Sequence, residues 1–501
     1  MKRYLLAGAI FSLLLLTLAT LISGPVLAAE NDHSYYVQGP METGPDVTAQ
    51  CLKCHEKHAE DFMKTTHWTW AQDQLVGDKD VVRGKKNAIN NFCTSIAGNW
   101  PRCTSCHAGY GWTDNNFDFT NAANVDCLVC HDTTGTYVKE PTGAGNPAKR
   151  VDLVYVAQSV GKPSRFNCGT CHFYGGGGDA VKHGDLDSSM EYPDRSIDVH
   201  MDADGNDFAC QDCHTTEGHA IPGNSLGVSP GGTNHFSCAK CHEEAPHAQS
   251  RLNKHAEDIS CQTCHIPFYA KDVPTKLSWD WSTAGQDIED SVDEHGKHAF
   301  NKKKGHFTWG KMVVPNYLWY NGSASAYNRG EKIDPDKVTM LTYPNGSIKD
   351  DKARIHPFKL HSGKQIYDKK NRYFITAKVF GEGGYWVDYD WNKAARLGME
   401  ASGLPYSGEY GFAPTEMYWS INHMVSPKEE ALSCLDCHGD NGRMEFDPSD
   451  RFNRITRMFT TDAGTNWTCV FLVPCALTMA CAVAFLLFFR DEGESTSFNQ
   501  G

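Results

Sequence analysis

The chain lacks a surplus of positive charge. Its 47 Lys and Arg face 61 Asp and Glu, for a formal net charge of -14, so it carries no electrostatic footprint for nucleic acid. It also lacks the brevity of a disulfide-stapled scaffold, because 501 residues hold two or three ordinary domains or one large one. Few of its cysteines stand alone. Sixteen of the 20 fall in pairs two residues apart, each pair followed directly by His, and only Cys93, Cys469, Cys475 and Cys481 remain.

That pattern, C-x-x-C-H, occurs eight times. The copies are Cys51-Leu-Lys-Cys54-His55, Cys103-Thr-Ser-Cys106-His107, Cys127-Leu-Val-Cys130-His131 and Cys168-Gly-Thr-Cys171-His172. They continue with Cys210-Gln-Asp-Cys213-His214, Cys238-Ala-Lys-Cys241-His242, Cys261-Gln-Thr-Cys264-His265 and Cys434-Leu-Asp-Cys437-His438. This is the attachment signature of c-type haem: two thiols form thioethers to one haem, and the adjacent His ligates its iron. Zinc sites also use C-x-x-C pairs, but nothing in zinc chemistry requires His after every second Cys. The expected complement is eight covalently bound haem c, with those eight His as proximal ligands.

Seven motifs lie within residues 51–265. At that density the haems must supply much of the buried apolar surface, with short helices and loops around them and Lys or Arg on the propionates. A low-spin electron-transfer haem takes a second axial His, and fifteen His lie outside the motifs. The candidates are His67, His200, His219, His235, His247, His255 and His423, in the haem-dense region or just before the eighth motif. His58 and His183 are open between ligand and other roles. His33, His295, His298, His306, His356 and His361 lie in polar or motif-free segments and read as non-ligands.

Residues 1–29 read as a secretory signal peptide: Lys2 and Arg3, an apolar run from Tyr4 to Ile22, and small residues at Ala28 and Ala29. Export agrees with haem attachment outside the cytoplasm. A second apolar run, Trp467 to Phe489, has 23 residues and no charge, which is long enough to cross a bilayer. It reads as a C-terminal transmembrane helix or a sorting signal, followed by a tail at 490–501. Arg451, Arg454 and Arg457 on its exported side fit the charge rule poorly.

Residues 266–433 carry no motif and read as mixed α/β structure. Trp309 to Trp319 and Val338 to Tyr343 look strand-like, Pro344-Asn345-Gly346 reads as a hairpin turn, and 391–402 reads as a helix closed by Gly403. Their many aromatics suit haem faces and a core. Asp202-Ala-Asp204-Gly-Asn206 has the start of a calcium loop, but Cys213 stands where its last acidic ligand belongs.

With the motifs in this order, the chain resembles the octahaem tetrathionate reductase family of periplasmic multihaem cytochromes over residues 35 to about 460. The resemblance is carried by QCLKCHEKHAEDFMKTTHWTW (50–70), CGTCHFYGGGGDAVKHGDLDSSM (168–190) and INHMVSPKEEALSCLDCHG (421–439). It implies one catalytic haem, the second, with His107 proximal and the amine of Lys182 on the distal side, and Cys93 close by. A ligating amine must be neutral, so iron and burial have to overcome the ordinary lysine pKa near 10.4. Tetrathionate would accept two electrons into its central S–S bond, and Cys93 as thiolate could attack that bond.

The expectation is therefore a mainly α multihaem cytochrome with much irregular structure and a mixed segment near 266–433. The divisions are a seven-haem region at 30–265, the mixed segment, an eighth-haem region at 434–466, and the apolar run at 467–489. The protein would be periplasmic, held to the inner membrane by that run. It would be fed by a quinol-linked or small periplasmic cytochrome and would reduce a small inorganic anion. A nitrite or hydroxylamine reductase and a hydroxylamine oxidoreductase-like enzyme are rivals, although every motif here ends in His where multihaem nitrite reductases carry C-x-x-C-K. A non-catalytic electron conduit is a rival of another class, and it would need eight bis-His haems.

Overall fold

The computed structural model describes residues 33–76, 79–231, 236–439 and 442–444. The signal peptide, His235, the apolar run at 467–489 and the tail lie outside the described residues.

The haem-motif region is built from short helices. Gly44–Phe62 is the longest, started by Thr43 and Asp46, which cap each other's backbone N–H groups, and by Pro45 in the first turn. It carries the first motif at its middle and kinks at His55 (φ -116°, ψ 28°). Arg165–His172 carries the fourth motif and starts with the same reciprocal cap, from Ser164 and Asn167. Leu128–His131, Cys210–Cys213, Cys261–His265 and Cys434–His438 are only one turn each. One turn suffices: residues three apart share a helix face, so both thiols of a motif point the same way.

The expectation of a mainly α chain is overturned. The C-terminal half holds a ten-stranded mixed sheet, in the order β4-β5-β6-β3-β10-β12-β9-β8, with β7 and β11 also on β10. The strands are β3 (Thr275–Asp280), β4 (Ser291–Val292), β5 (His298–Asn301), β6 (Gly305–Gly310) and β7 (Asn316–Tyr320). Then come β8 (Ala324–Ala326), β9 (Thr339–Pro344), β10 (Arg354–Asp368), β11 (Tyr373–Phe374) and β12 (Tyr410–Ser420). An earlier hairpin, β1 (Gln72–Val76) and β2 (Lys79–Arg83), stands apart. The physical reason is that haem contact needs only single helical turns, whereas the long aromatic and β-branched stretches after residue 266 pair as strands. The transmembrane expectation gains no support either, because among the described residues no helix is long and apolar enough to cross a membrane.

Strand β10 is central. It pairs antiparallel with β12 from Phe358–Ser420 to Asp368–Tyr410 and parallel with β3. Phe358 faces an apolar group with Leu226, Ala324 and Tyr418. The opposite face is polar and equally buried. Beyond the sheet, Trp391–Ser402 is capped by Asp390 and closed by Gly403 at φ +71°. Its Trp391 stacks on Tyr385 at 3.7 Å, and Trp279 stacks on Trp281 at 4.5 Å. Pro344 ends β9 without a hairpin, because the next strand, β10, pairs with β12 and β7 instead.

Candidate functional site

The motif thiols lie in contact across motifs. Cys51 meets Cys127, Cys106 meets Cys171, Cys168 meets Cys210, and Cys238 meets Cys261. Cys130 lies near Cys168, Cys213 near Cys241, and Cys264 near Cys437. The motifs therefore neighbour one another in the order first, third, fourth, fifth, sixth, seventh, eighth, and the second branches from the fourth.

Seven of the eight motif histidines face a second histidine at nearly one distance. The ring centres are 6.4 Å apart for His55 and His33, 6.4 Å for His131 and His219, and 6.2 Å for His172 and His67. They are 6.3 Å apart for His214 and His423, and 6.0 Å for His242 and His200. His265 and His247 are 6.1 Å apart, and His438 and His255 are 6.3 Å apart. Two imidazole nitrogens each about 2 Å from one metal leave their ring centres roughly 6 Å apart, so the spacing fits axial pairs on haem iron. His172 has a second such neighbour, His183, at 6.4 Å. Six of these partners are sequence candidates. His33 was read as a non-ligand, because nothing local marks it in its polar segment. His58 lies 5.3 Å from His55 and 5.8 Å from His219, beside two pairs.

The hydrogen bonds point the same way. Nδ1 of His131, His214 and His255 donates to the carbonyls of Gly161 (2.8 Å), Pro222 (2.7 Å) and Arg251 (2.8 Å). Nδ1 of His247 meets Asn253 Oδ1, and Nδ1 of His423 meets Asp185 Oδ2, both at 3.1 Å. Anchoring Nδ1 fixes the tautomer that presents Nε2 to a metal. Burial lowers the pKa of His67, of His214 and of His172, the last to about 3, so these rings stay neutral as ligands must be.

His107 differs. Among the described residues no histidine stands opposite it, and Trp68, Trp70, Trp112, Phe117 and Phe119 surround its ring at 4.9 to 6.2 Å. Its Nε2 donates to the Trp68 carbonyl at 2.7 Å, and its buried Nδ1 has no partner. Burial pushes its pKa down to about 3. Ligation by His107 requires Nε2 to exchange that carbonyl for iron.

Lys182 lies near Cys106 of the same motif, with Nζ 4.8 Å from the centre of the Trp419 ring. Burial, reinforced by Lys85, pushes it down to about 7. Lys359 is fully buried, and its Nζ donates to the carbonyls of Val181 (3.0 Å) and Lys182 (3.1 Å). Cys93 packs against the sheet core, and burial raises its thiol pKa against the pull of Lys304, Arg102 and Lys276. Lys276 in turn lies over Phe307 at 3.6 Å and Trp279 at 4.1 Å. Buried amines thus lie near the second motif at Lys182 and near Cys93 at Lys276 and Lys304. The Asp202 segment spends its carboxylate on its own turn, accepting from the Asp204 N–H at 3.3 Å.

Two family models match the chain, one described as "Cytochrome c bacterial" over residues 276–441 and one as "Cytochrome c554 and c-prime" over residues 50–132. An uncharacterized protein of Archaeoglobus fulgidus is 24% identical, over 39% of this chain and 82% of its own. Among solved structures, the octahaem cytochrome c from Shewanella oneidensis is 60% identical with a TM-score of 0.80, covering 84% of this chain and 98% of that one.

Proposed function

Since the chain belongs to the octahaem tetrathionate reductase family of multihaem c-type cytochromes and carries eight haem c groups, we propose that it reduces a small oxyanion, tetrathionate first, beside Lys182. One observation carries this reading: seven motif histidines face a second histidine, while His107 faces none among the described residues and a buried amine lies by its motif.

The bound haems supply one-electron iron chemistry. His67, His200, His219, His247, His255, His423 and His33 would complete seven of them, which suits electron transfer rather than substrate binding. His107 and Lys182 serve the eighth. Lys182, its pKa lowered by burial, would hold that haem as a neutral amine and, when free of it, would lie as a cation beside a bound anion. Burial lowers the pKa of Lys276, Lys304 and Lys359 as well, and an anion bound near them would favour their protonated forms. Two electrons entering the central S–S bond of tetrathionate break it and leave two thiosulfates, with no proton required. Cys93 lies by Cys103 of the second motif. It would serve there as nucleophile where Lys304, Arg102 and Lys276 overcome the burial that raises its pKa. Electrons would reach the site from a quinol-linked or small periplasmic cytochrome through the motif order above. Because the buried amines suit nitrite equally well, nitrite reduction is the second reading.

Anaerobic viologen oxidation with tetrathionate, nitrite and hydroxylamine side by side tests this. Turnover with tetrathionate is expected. Turnover with the nitrogen substrates alone moves the function to nitrogen-oxide reduction, and none with a fully haem-loaded sample leaves an electron conduit or an oxidative enzyme.

A further inference from the structure

Strand β10 presents a polar face to the middle of the molecule. Lys359, His361 and Gln365 lie on that face, since side chains alternate along a strand, and they are 0%, 0% and 1% exposed. Lys359 is satisfied by the Val181 and Lys182 carbonyls and by Thr275 Oγ1. Gln365 Nε2 donates to the Asn90 carbonyl at 3.2 Å. His361 is not satisfied: neither Nδ1 nor Nε2 has a partner on another residue. An imidazole always carries an N–H donor, and buried polar groups left without partners are rare enough to need a reason.

The position of the ring gives that reason. The Phe92 ring centre lies 4.4 Å from that of His361 and 5.7 Å from that of Trp419. Trp419 Nε1 also lacks a partner, and Lys182 Nζ lies over the same indole. Gly176 at φ +81° lets these groups close up, because a Cβ there would meet Lys182 and Phe92 at 3.3 Å. Two buried donors without partners thus flank the Phe92 ring, and the Lys182 amine lies over the indole that carries one of them.

We propose that His361 is a substrate-contacting residue, donating a hydrogen bond to an oxygen of a small oxyanion bound beside Lys182, with the Trp419 indole as a second donor. This rests on the reductase reading and adds residues to it. Burial first, and then Lys359 and Lys276, hold the His361 pKa well below its ordinary value. The ring therefore acts as a neutral donor, adding direction where the lysines add charge.

The test is binding of nitrite and of tetrathionate to the oxidised, fully haem-loaded protein, followed by haem absorbance and electron paramagnetic resonance. Hydroxylamine, uncharged at neutral pH, is the control. His361→Met is expected to weaken both oxyanions at least tenfold and hydroxylamine less than threefold. Oxyanion affinities within twofold of the wild type overturn the proposal. If His361→Met does not load haem, His361→Asn and His361→Gln decide, since they place an amide near the Nδ1 and Nε2 positions while staying polar. A fivefold or larger loss in either supports the contact, and wild-type affinity in both removes it. Wild-type protein that neither binds nor turns over any of the three compounds overturns the reductase reading itself, and the contact with it.

Discussion

Lys359 holds the main chain of Lys182: its Nζ donates to the Lys182 carbonyl at 3.1 Å and to the preceding carbonyl, Val181, at 3.0 Å. Two lysines, one on the central strand and one in the glycine-rich segment after the fourth motif, are therefore locked in register. Gly184 helps, since at φ +91° a Cβ would meet the Lys359 Cδ at 3.0 Å. Burial lowers the Lys359 pKa well below the ordinary value, which limits the charge to be desolvated.

Lys359→Met should keep the length of the side chain and lose its donors. The two carbonyls would be left unpaired, at about 1–3 kcal/mol each. The expected result is a melting temperature lower by several degrees, together with an altered resonance signal from the one haem beside Lys182. An unchanged signal with a lower melting temperature would reduce Lys359 to a packing role.

Lys182 itself has a pKa pushed down to about 7 by burial, against roughly 10.4 in the unfolded chain. Between those values the unfolded chain binds a proton that the folded chain does not, so stability rises with pH across that window. Below about 7 the burial penalty is present in full, and above roughly 10.4 it is gone. Lys182→Met should flatten that part of the wild-type slope, and chemical denaturation at pH 7, 8.5 and 10 would measure it. Equal slopes in both proteins would mean that the amine is solvated.

The haem chemistry was legible because covalent attachment demands a contiguous motif. The axial partners were legible only in part. His247 and His255 sit between the sixth and seventh motifs, which marks them as candidates, yet His247 faces His265 and His255 faces His438 of the eighth. His33 precedes its partner by 22 residues in a polar segment, and only the fold brings the two rings together. The motif-free segment was legible as mixed structure with strands near 309–319 and 338–343, but not as one ten-stranded sheet, because its central strand β10 departs from simple alternation by burying both faces. Nothing in the sequence sets His361 apart from the other motif-free histidines, since no local pattern distinguishes a satisfied buried imidazole from an unsatisfied one.

His33 offers a direct check on the pairing by distance. Its ring centre stands 6.4 Å from that of His55, whereas His58 stands 5.3 Å away on the same helix. His33→Ala should leave eight haems attached, because the thioethers do not need it, and should convert one low-spin haem to a high-spin or water-ligated form. His58→Ala should leave the low-spin count unchanged. The reverse pattern in resonance spectra would assign the ligand to His58.

Asp185 sets the character of another pair. Its Oδ2 accepts from the backbone N–H groups of Asn422 (2.8 Å) and His423 (3.1 Å) and from His423 Nδ1 (3.1 Å), and the carboxylate is almost fully buried. These donors, led by His423, hold its pKa below the ordinary carboxylate value despite burial, so it is an anion at neutral pH. A carboxylate on Nδ1 makes the imidazole a stronger donor to iron and favours the oxidised metal. Asp185→Asn keeps the shape and removes the charge. The midpoint potential of the haem between His214 and His423 should then rise by tens of millivolts, where about 59 mV is a tenfold change for one electron. Potentiometric titration followed by resonance would resolve that haem from the other seven. A potential unchanged within a few millivolts would show that the carboxylate only holds the loop, and then the melting temperature alone should fall.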